Sequence, residues 1–172
     1  VVEVDWGDGV PVQITVTSEA LAAPLKGSTV VVSGYDITAL DCADAGLTAL
    51  NVTELTELTS LNCHSNALTS LDVTKNRQLR TLNCGHNQLA ALNITGLSLL
   101  EELVLNDNSL KALTLTGARQ LQYLDCRNNQ IGSLSLSLNT KLRHLWCANN
   151  ALLSLDVSKC TALQSLVLSE NS

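Results

Sequence analysis

Apolar and polar positions recur along this chain with a period of 21 residues. Leu40, Leu61, Leu82, Leu103, Leu124, Leu145 and Leu166 fall on one lattice. Two residues further on stand Cys42, Cys63, Cys84, Leu105, Cys126, Cys147 and Leu168, and five residues past each Leu stand Ala45, Asn66, Asn87, Asn108, Asn129, Asn150 and Asn171. A third apolar column, Leu47, Leu68, Leu89, Leu110, Ile131 and Leu152, follows the Asn by two. The unit reads LxxLxCxxNxLxxLxV. Six units run from about Ile37 to Ala162, and a seventh stops at its Asn. In L-x-C, apolar residues alternate with polar ones, which is strand periodicity. One strand per unit in a constant direction predicts a parallel sheet of about seven strands, roughly 30 Å long at ~4.8 Å per strand. A single unit cannot bury its own apolar face, so the units must stack into a solenoid.

The Asn column turns the chain out of the strand. An amide held inside the coil can accept from one backbone N–H and donate to a carbonyl of the next turn, satisfying groups that would otherwise be buried unpaired. Ala45 interrupts that column at the first rung. The second half of each unit alternates again, as in Leu50/Val52, Leu71/Val73, Leu92/Ile94, Leu113/Leu115, Leu134/Leu136 and Leu155/Val157, and Thr or Ser follows every time. A 21-residue rung has little room for a helix beside a strand and two corners. This half is therefore predicted to be short extended segments or tight turns. Two sides of similar rung spacing imply mild curvature and a shallow sheet face.

These residues resemble the leucine-rich repeat family, in particular its short 21-residue bacterial class with units of the form LxxLxCxxNxLxxLDVxx. Leu71-Asp72-Val73 and Leu155-Asp156-Val157 match its ending letter for letter. The resemblance covers about four-fifths of the chain. It implies a mainly β solenoid of about seven rungs, with a parallel sheet on one face and little helix. It also implies a binding module of a secreted or surface protein of bacteria, without indicating a substrate or a catalytic residue.

Residues 1–36 depart from the repeat of residues 37–172. Val1–Trp6 and Val10–Thr17 alternate on either side of Gly7-Asp8-Gly9, which reads as a β-hairpin. Ser18–Ser28 is looser, with Pro24, Gly27 and a helical turn expected near Glu19–Ala23. Thr29–Val32 reads as the outer segment of an incomplete rung. The expected role is an N-terminal β cap over the first Leu layer, since open solenoid ends need shielding.

Composition reinforces repetition. Of 172 residues 45% are hydrophobic but only 2% aromatic, with no Phe and no Met, while Leu supplies about a fifth. The length suits a single domain with a small cap. Sixteen acids against ten bases give a net charge of −6, which argues against nucleic acid as a partner. No apolar run approaches the ~18 residues of a membrane span. A leader removed ahead of Val1 is expected, and with it a secreted or cell-surface location.

Six cysteines in a chain expected to be exported raise the question of disulfides. Five of them share the inward lattice with Leu, pointing the same way on parallel strands, whereas a disulfide needs a specific mutual Cβ geometry. They are expected to be free thiols acting as small apolar fillers. Cys160 stands off that lattice, in the corner column of Asn76, Ala118 and Asn139, and is expected to be the reachable thiol. His64, His86 and His144 lie on or beside the sheet face in different rungs and columns, without a third ligand for a metal. Asp5 and Asp8 fit either a calcium ion or turn-forming side chains. No GxSxG, Walker or HExxH motif is present, so neither an enzyme nor a cofactor is expected. Asn51-Val52-Thr53 and Asn93-Ile94-Thr95 match the glycosylation sequon only because the repeat supplies both columns.

The outward strand positions are informative because the repeat does not dictate them. The first three rungs are small and polar there. Later rungs set Tyr123, Asp125, Arg127, His144 and Trp146 side by side, next to Glu102 and Val104. Tyr, Trp and Arg are enriched in binding hot spots. The expectation is a protein or peptide ligand on this face. The alternatives are a glycan, stacked on Trp146 and Tyr123 and bonded by Asp125 and Arg127, or a spacer role. The last strand, carrying Leu166 and Leu168, is an edge. The chain is therefore expected to be a monomer or a weak end-to-end dimer that Leu168→Lys would suppress.

Overall fold

The computed structural model describes residues 2–5, 12–14, 29–34 and 37–172, the first three groups as backbone only. Strand β1 (Val2–Asp5) pairs antiparallel with β2 (Val12–Ile14) and, on its other side, with β3 (Thr29–Gly34). Strand β4 is Ala39–Asp41. Strand β5 (Ala49–Asn51) runs parallel to β3, with Thr29 opposite Ala49. The expected hairpin is thus present as β1 and β2, and β3 pairs with the outer side of the first rung. The Gly7-Asp8-Gly9 turn, the Glu19–Ala23 turn and the Asp5/Asp8 calcium reading lie outside the described residues.

The remaining strands are β6 (Ser60–Asn62), β7 (Thr81–Asn83), β8 (Glu102–Val104), β9 (Tyr123–Asp125), β10 (His144–Trp146) and β11 (Ser165–Val167). With β4 they form one seven-stranded parallel sheet in the order β4-β6-β7-β8-β9-β10-β11. Each pair is in 21-residue register, as in Leu61↔Leu82 and Leu124↔Leu145. The second half of each rung contains no helix among the described residues. Its regular pairing is limited to β5 and one bridge, Asp72↔Asn93. Elsewhere it runs through tight turns such as Asn76 N–H to Val73 C=O and Leu79 N–H to Asn76 C=O.

The core is a stack of Leu layers. Leu61, Leu82, Leu103, Leu124 and Leu145 are closed to solvent, as are Cys63, Cys84, Cys126 and Cys147 behind the same strands. All six thiols are free. Cys160 corrects the sequence expectation, being only 4% exposed. Its corner column is a second interior column, filled in other rungs by Leu55, Asn76, Leu97, Ala118 and Asn139, all buried. The more open thiol is Cys42, half-covered at the first rung.

The Asn column knits rungs together, reaching back to the preceding rung rather than forward. Asn87 Oδ1 accepts from Leu68 N–H at 3.0 Å, while its Nδ2 donates to Cys63 C=O at 3.0 Å and to Cys84 and Gly85 of its own turn. The same set recurs at Asn108, Asn129 and Asn150.

The residue just before each position of this column, Ala45 included, adopts a left-handed backbone. Asp44, Ser65, His86, Asp107, Asn128, Asn149 and Glu170 have φ between 51° and 58°. That conformation costs an L-residue energy, and Asn and Asp tolerate it best. A polar ladder runs along this column: Asn149 Nδ2 donates to Asn128 Oδ1 at 3.0 Å, and Asn128 Nδ2 to Asp107 Oδ1 at 2.7 Å.

Gly85 lies beneath the next rung's Asn106. A Cβ placed there would stand 2.6 Å from Asn106 Oδ1 and 3.3 Å from its backbone oxygen. Gly85→Ala is expected to turn the Asn106 side chain aside at a cost below about 1 kcal/mol, because the nearest atom is the movable end of that side chain and alanine narrows the unfolded ensemble. Part of that should return in the Gly85→Ala/Asn106→Ala double variant, as urea unfolding will show.

Candidate functional site

The exposed face of the sheet has two regions. Over β6 to β8 it is a shallow depression lined by Ser60, Asn62, Thr81, Asn83 and Glu102. Thr81 donates to Ser60 across the rung at 2.8 Å, and Asn62 Oδ1 is buried without a hydrogen-bond partner. Over β9 and β10 the surface is aromatic and charged.

There the strand register places Tyr123 beside His144 and Asp125 beside Trp146. The Tyr123 and Trp146 rings meet edge-on, with centroids 5.2 Å apart at 71°, and His144 lies tilted 6.1 Å from Tyr123. The Arg127 guanidinium carbon sits 4.6 Å from the Trp146 ring centre. Asp125 holds Arg127 through two parallel hydrogen bonds, Nε to Oδ1 at 2.9 Å and Nη2 to Oδ2 at 2.7 Å, and Oδ1 also accepts from the Arg127 backbone N–H. Bidentate charge-assisted pairs of this kind fix direction as well as adding energy. These hydrogen bonds hold the Arg127 guanidinium still more firmly protonated. Partial burial, followed by the nearby Asp125 charge, raises the Tyr123 phenol above its ordinary value.

Five of the seven residues singled out in the sequence therefore form one cluster: Tyr123, Asp125, Arg127, His144 and Trp146. Glu102 flanks Tyr123 on β8 and is exposed, and Val104 is half-buried opposite Asp125. Asp125 takes a different place from the expected one. It is only 3% exposed, and both its oxygens are engaged by Arg127. Its two hydrogen bonds orient the arginine. Ser165 was not singled out, yet its Oγ accepts from Trp146 Nε1 at 3.4 Å. The 21-residue register places it diagonally across from Trp146, which was the available signal.

The histidines do not converge. His64 hydrogen-bonds Ser65 at 2.7 Å and stands 4.0 Å from Asp44, whereas His86 stands 3.5 Å from Asp107. Among the described residues no group of three or more His, Cys, Asp or Glu side chains could hold a metal ion.

Residues 119–157 match the family profile of leucine-rich repeats in two copies. Together with the seven-stranded 21-residue register, this match decides the architecture. The fold is a leucine-rich repeat solenoid. The functional domain of InlJ from Listeria monocytogenes, described as including a cysteine ladder, is 38% identical, with a TM-score of 0.78 over 80% of this chain and 31% of that one. The internalin InlF of the same organism is 25% identical, with a TM-score of 0.71 over 79% of this chain and 42% of that one. A leucine-rich repeat protein of Leptospira interrogans, at 23% identity and a TM-score of 0.60 over 77% of this chain and 43% of that one, shares the fold. The chain thus spans less than half of each of these proteins. No curated protein matches it in sequence. In fold and sequence the chain is similar to internalin-type repeat proteins of bacteria.

Proposed function

We propose that the solenoid is a non-enzymatic binding module, secreted or displayed on a bacterial surface, that engages a protein or peptide through the exposed face of its parallel sheet. The observation that carries this reading is the preset cluster on β9 and β10. Asp125 clamps Arg127 across Trp146, and Tyr123 braces the ring edge-on. The repeat itself requires none of these four residues. A surface already held in one geometry loses little entropy when a partner docks. Arg127 covers Trp146, so the cluster suits a protein contact better than a sugar stacked on that ring. The relation to internalin-type proteins supports both the module class and the location.

Trp146→Ala should remove a hot-spot side chain worth about 2 kcal/mol or more, or roughly 30-fold in affinity. The melting temperature should change little, because the ring is not part of the Leu core. Proteins captured from host-cell and envelope extracts by the wild type, and lost with Trp146→Ala, would support the reading. Equal capture by both would place the interface elsewhere. A glycan-array signal lost with Trp146→Ala would favour sugar recognition, and no binding in either assay would favour a spacer.

A further inference from the structure

The sixteen acids and ten bases are not mixed evenly over the surface. Five seven-residue corner segments, 74–80, 95–101, 116–122, 137–143 and 158–164, lead into β7 to β11 in turn. Together they hold seven of the ten Lys and Arg residues and one acid, Glu101. The other fifteen acids share the rest of the chain with only three bases. An acidic protein thus carries a basic strip along one flank.

The strip is built by the repeat register. A hydrogen-bonded ladder joins the segments just ahead of the strands, from Arg80 C=O to Glu101 N–H, Glu101 C=O to Gln122 N–H, and Gln122 C=O to Arg143 N–H. Arg77, Arg119, Lys141 and Arg143 are exposed along it. Arg77 lies over the next rung, its Nε 3.9 Å from where a Gly96 Cβ would stand. Arg80 pairs with Glu101, whereas Arg77, Arg119 and Arg143 form no salt bridge among the described residues. Lys75 and Lys159 close the two ends beside Asp72 and Asp156. From Arg77 to Lys159 is four rungs, about 19 Å at ~4.8 Å per rung.

We infer that this flank binds a linear anionic polysaccharide laid along the solenoid axis, at a site separate from the sheet face. A chain bearing regularly spaced sulfate or carboxylate groups meets a cation on four of the five rungs, the exception being 95–101, where Glu101 pairs with Arg80 and Arg77 reaches across from the rung before. Its hydroxyls meet the amides and hydroxyls set among those cations, such as Gln78, Gln122, Thr140 and Gln164. Single-stranded nucleic acid is matched less well, because its binders add aromatic platforms for the bases and these segments hold no aromatic residue. A bilayer surface calls for several projecting apolar side chains, and Leu138 is the one large apolar residue exposed here. The inference does not rest on the protein-binding reading of the sheet.

The test is fluorescence anisotropy with a labelled heparin dodecasaccharide at about 50 mM salt, where such charge-driven binding is strong. Arg119→Gln/Lys141→Gln/Arg143→Gln removes three charges from the strip. Lys111→Glu/Ser133→Glu lowers the net charge by the same three at exposed sites off it. The wild type should bind, with affinity falling as salt rises. The triple variant should bind at least about tenfold more weakly, and the charge-matched control should stay within about twofold of wild type. Unchanged melting of both variants excludes a folding defect. Absence of wild-type binding, or equal loss in variant and control, overturns the proposal. So does equally tight binding of an oligothymidylate of the same charge or of phosphatidylserine vesicles. Trp146→Ala should leave heparin binding unchanged, so this site and the sheet-face reading can fail independently.

Discussion

Asn108→Ala is expected to lower the melting temperature by roughly 6–12 °C, whereas Asn51→Ala should change it by no more than about 3 °C. Asn108 Oδ1 accepts the Leu89 N–H at 2.9 Å, and Nδ2 donates to Cys84 C=O at 3.0 Å and Leu105 C=O at 3.1 Å. Alanine removes the partner of three backbone groups on two rungs at once. Each polar group left unsatisfied away from water costs about 1–3 kcal/mol, so a total near 3 kcal/mol is the low end. A chain of this size loses about 2–4 °C per kcal/mol. Asn51 also uses its side chain, accepting from Thr53 N–H at 3.0 Å and Thr53 Oγ at 2.8 Å. Those donors are exposed and water replaces the amide. Thermal unfolding followed by circular dichroism compares the two directly. Equal shifts would mean that the inter-rung amides add nothing beyond ordinary surface turns.

The repeat explains why so much of this architecture is legible without coordinates. Seven Leu positions in constant register admit one stacking geometry, and the Asn column has one place where its donors and acceptor are all useful. The corner was less legible. Asn76, Ala118, Asn139 and Cys160 share no chemistry, so nothing in their sequence marks the column as interior. Cys160 consequently read as accessible when it is buried. The left-handed column was hidden in the same way, since Asp44, Ser65, His86 and Glu170 do not look alike. Its signal is the Asn or Asp at four of the seven positions. On the sheet face, periodicity placed the aromatic and charged residues side by side. It could not tell which oxygens Arg127 would occupy, because that follows from rotamers rather than from register. The basic strip is hidden in the sequence for a third reason. A net charge of −6 averages over a surface whose positive groups gather in the corner segments.

Those buried thiols set up the other large effect, a steep loss of stability above pH 9. Burial pushes the Cys84 and Cys42 thiols up to about 12 and Cys147 to about 11, from an ordinary value of 9.0. Burial chiefly, with neighbouring thiols adding to it, also raises Cys63 and Cys126. A pKa raised in the folded state contributes stability that is complete below the unfolded value. It is lost as pH climbs from that value through the folded one, because the unfolded chain releases protons that the folded chain retains. Cys63, Cys84, Cys126 and Cys147 are essentially closed to solvent. Each such thiol removes about 1.4 kcal/mol per pH unit once the unfolded form is ionised, so four together remove about 5 kcal/mol per unit. A typical domain has only about 5–15 kcal/mol in total, which places alkaline unfolding within one to three units above pH 9. Urea unfolding under reducing conditions at intervals from pH 8 to 10.5 measures the slope. In Cys84→Ala/Cys126→Ala the lost packing lowers stability by a constant amount at every pH, while the slope should fall by about two fifths, because Cys63, Cys147 and the buried Cys160, also raised, remain. A wild-type stability that stays flat across this range would mean that the thiols ionise inside the fold as readily as outside it, and the buried ladder would have to be abandoned.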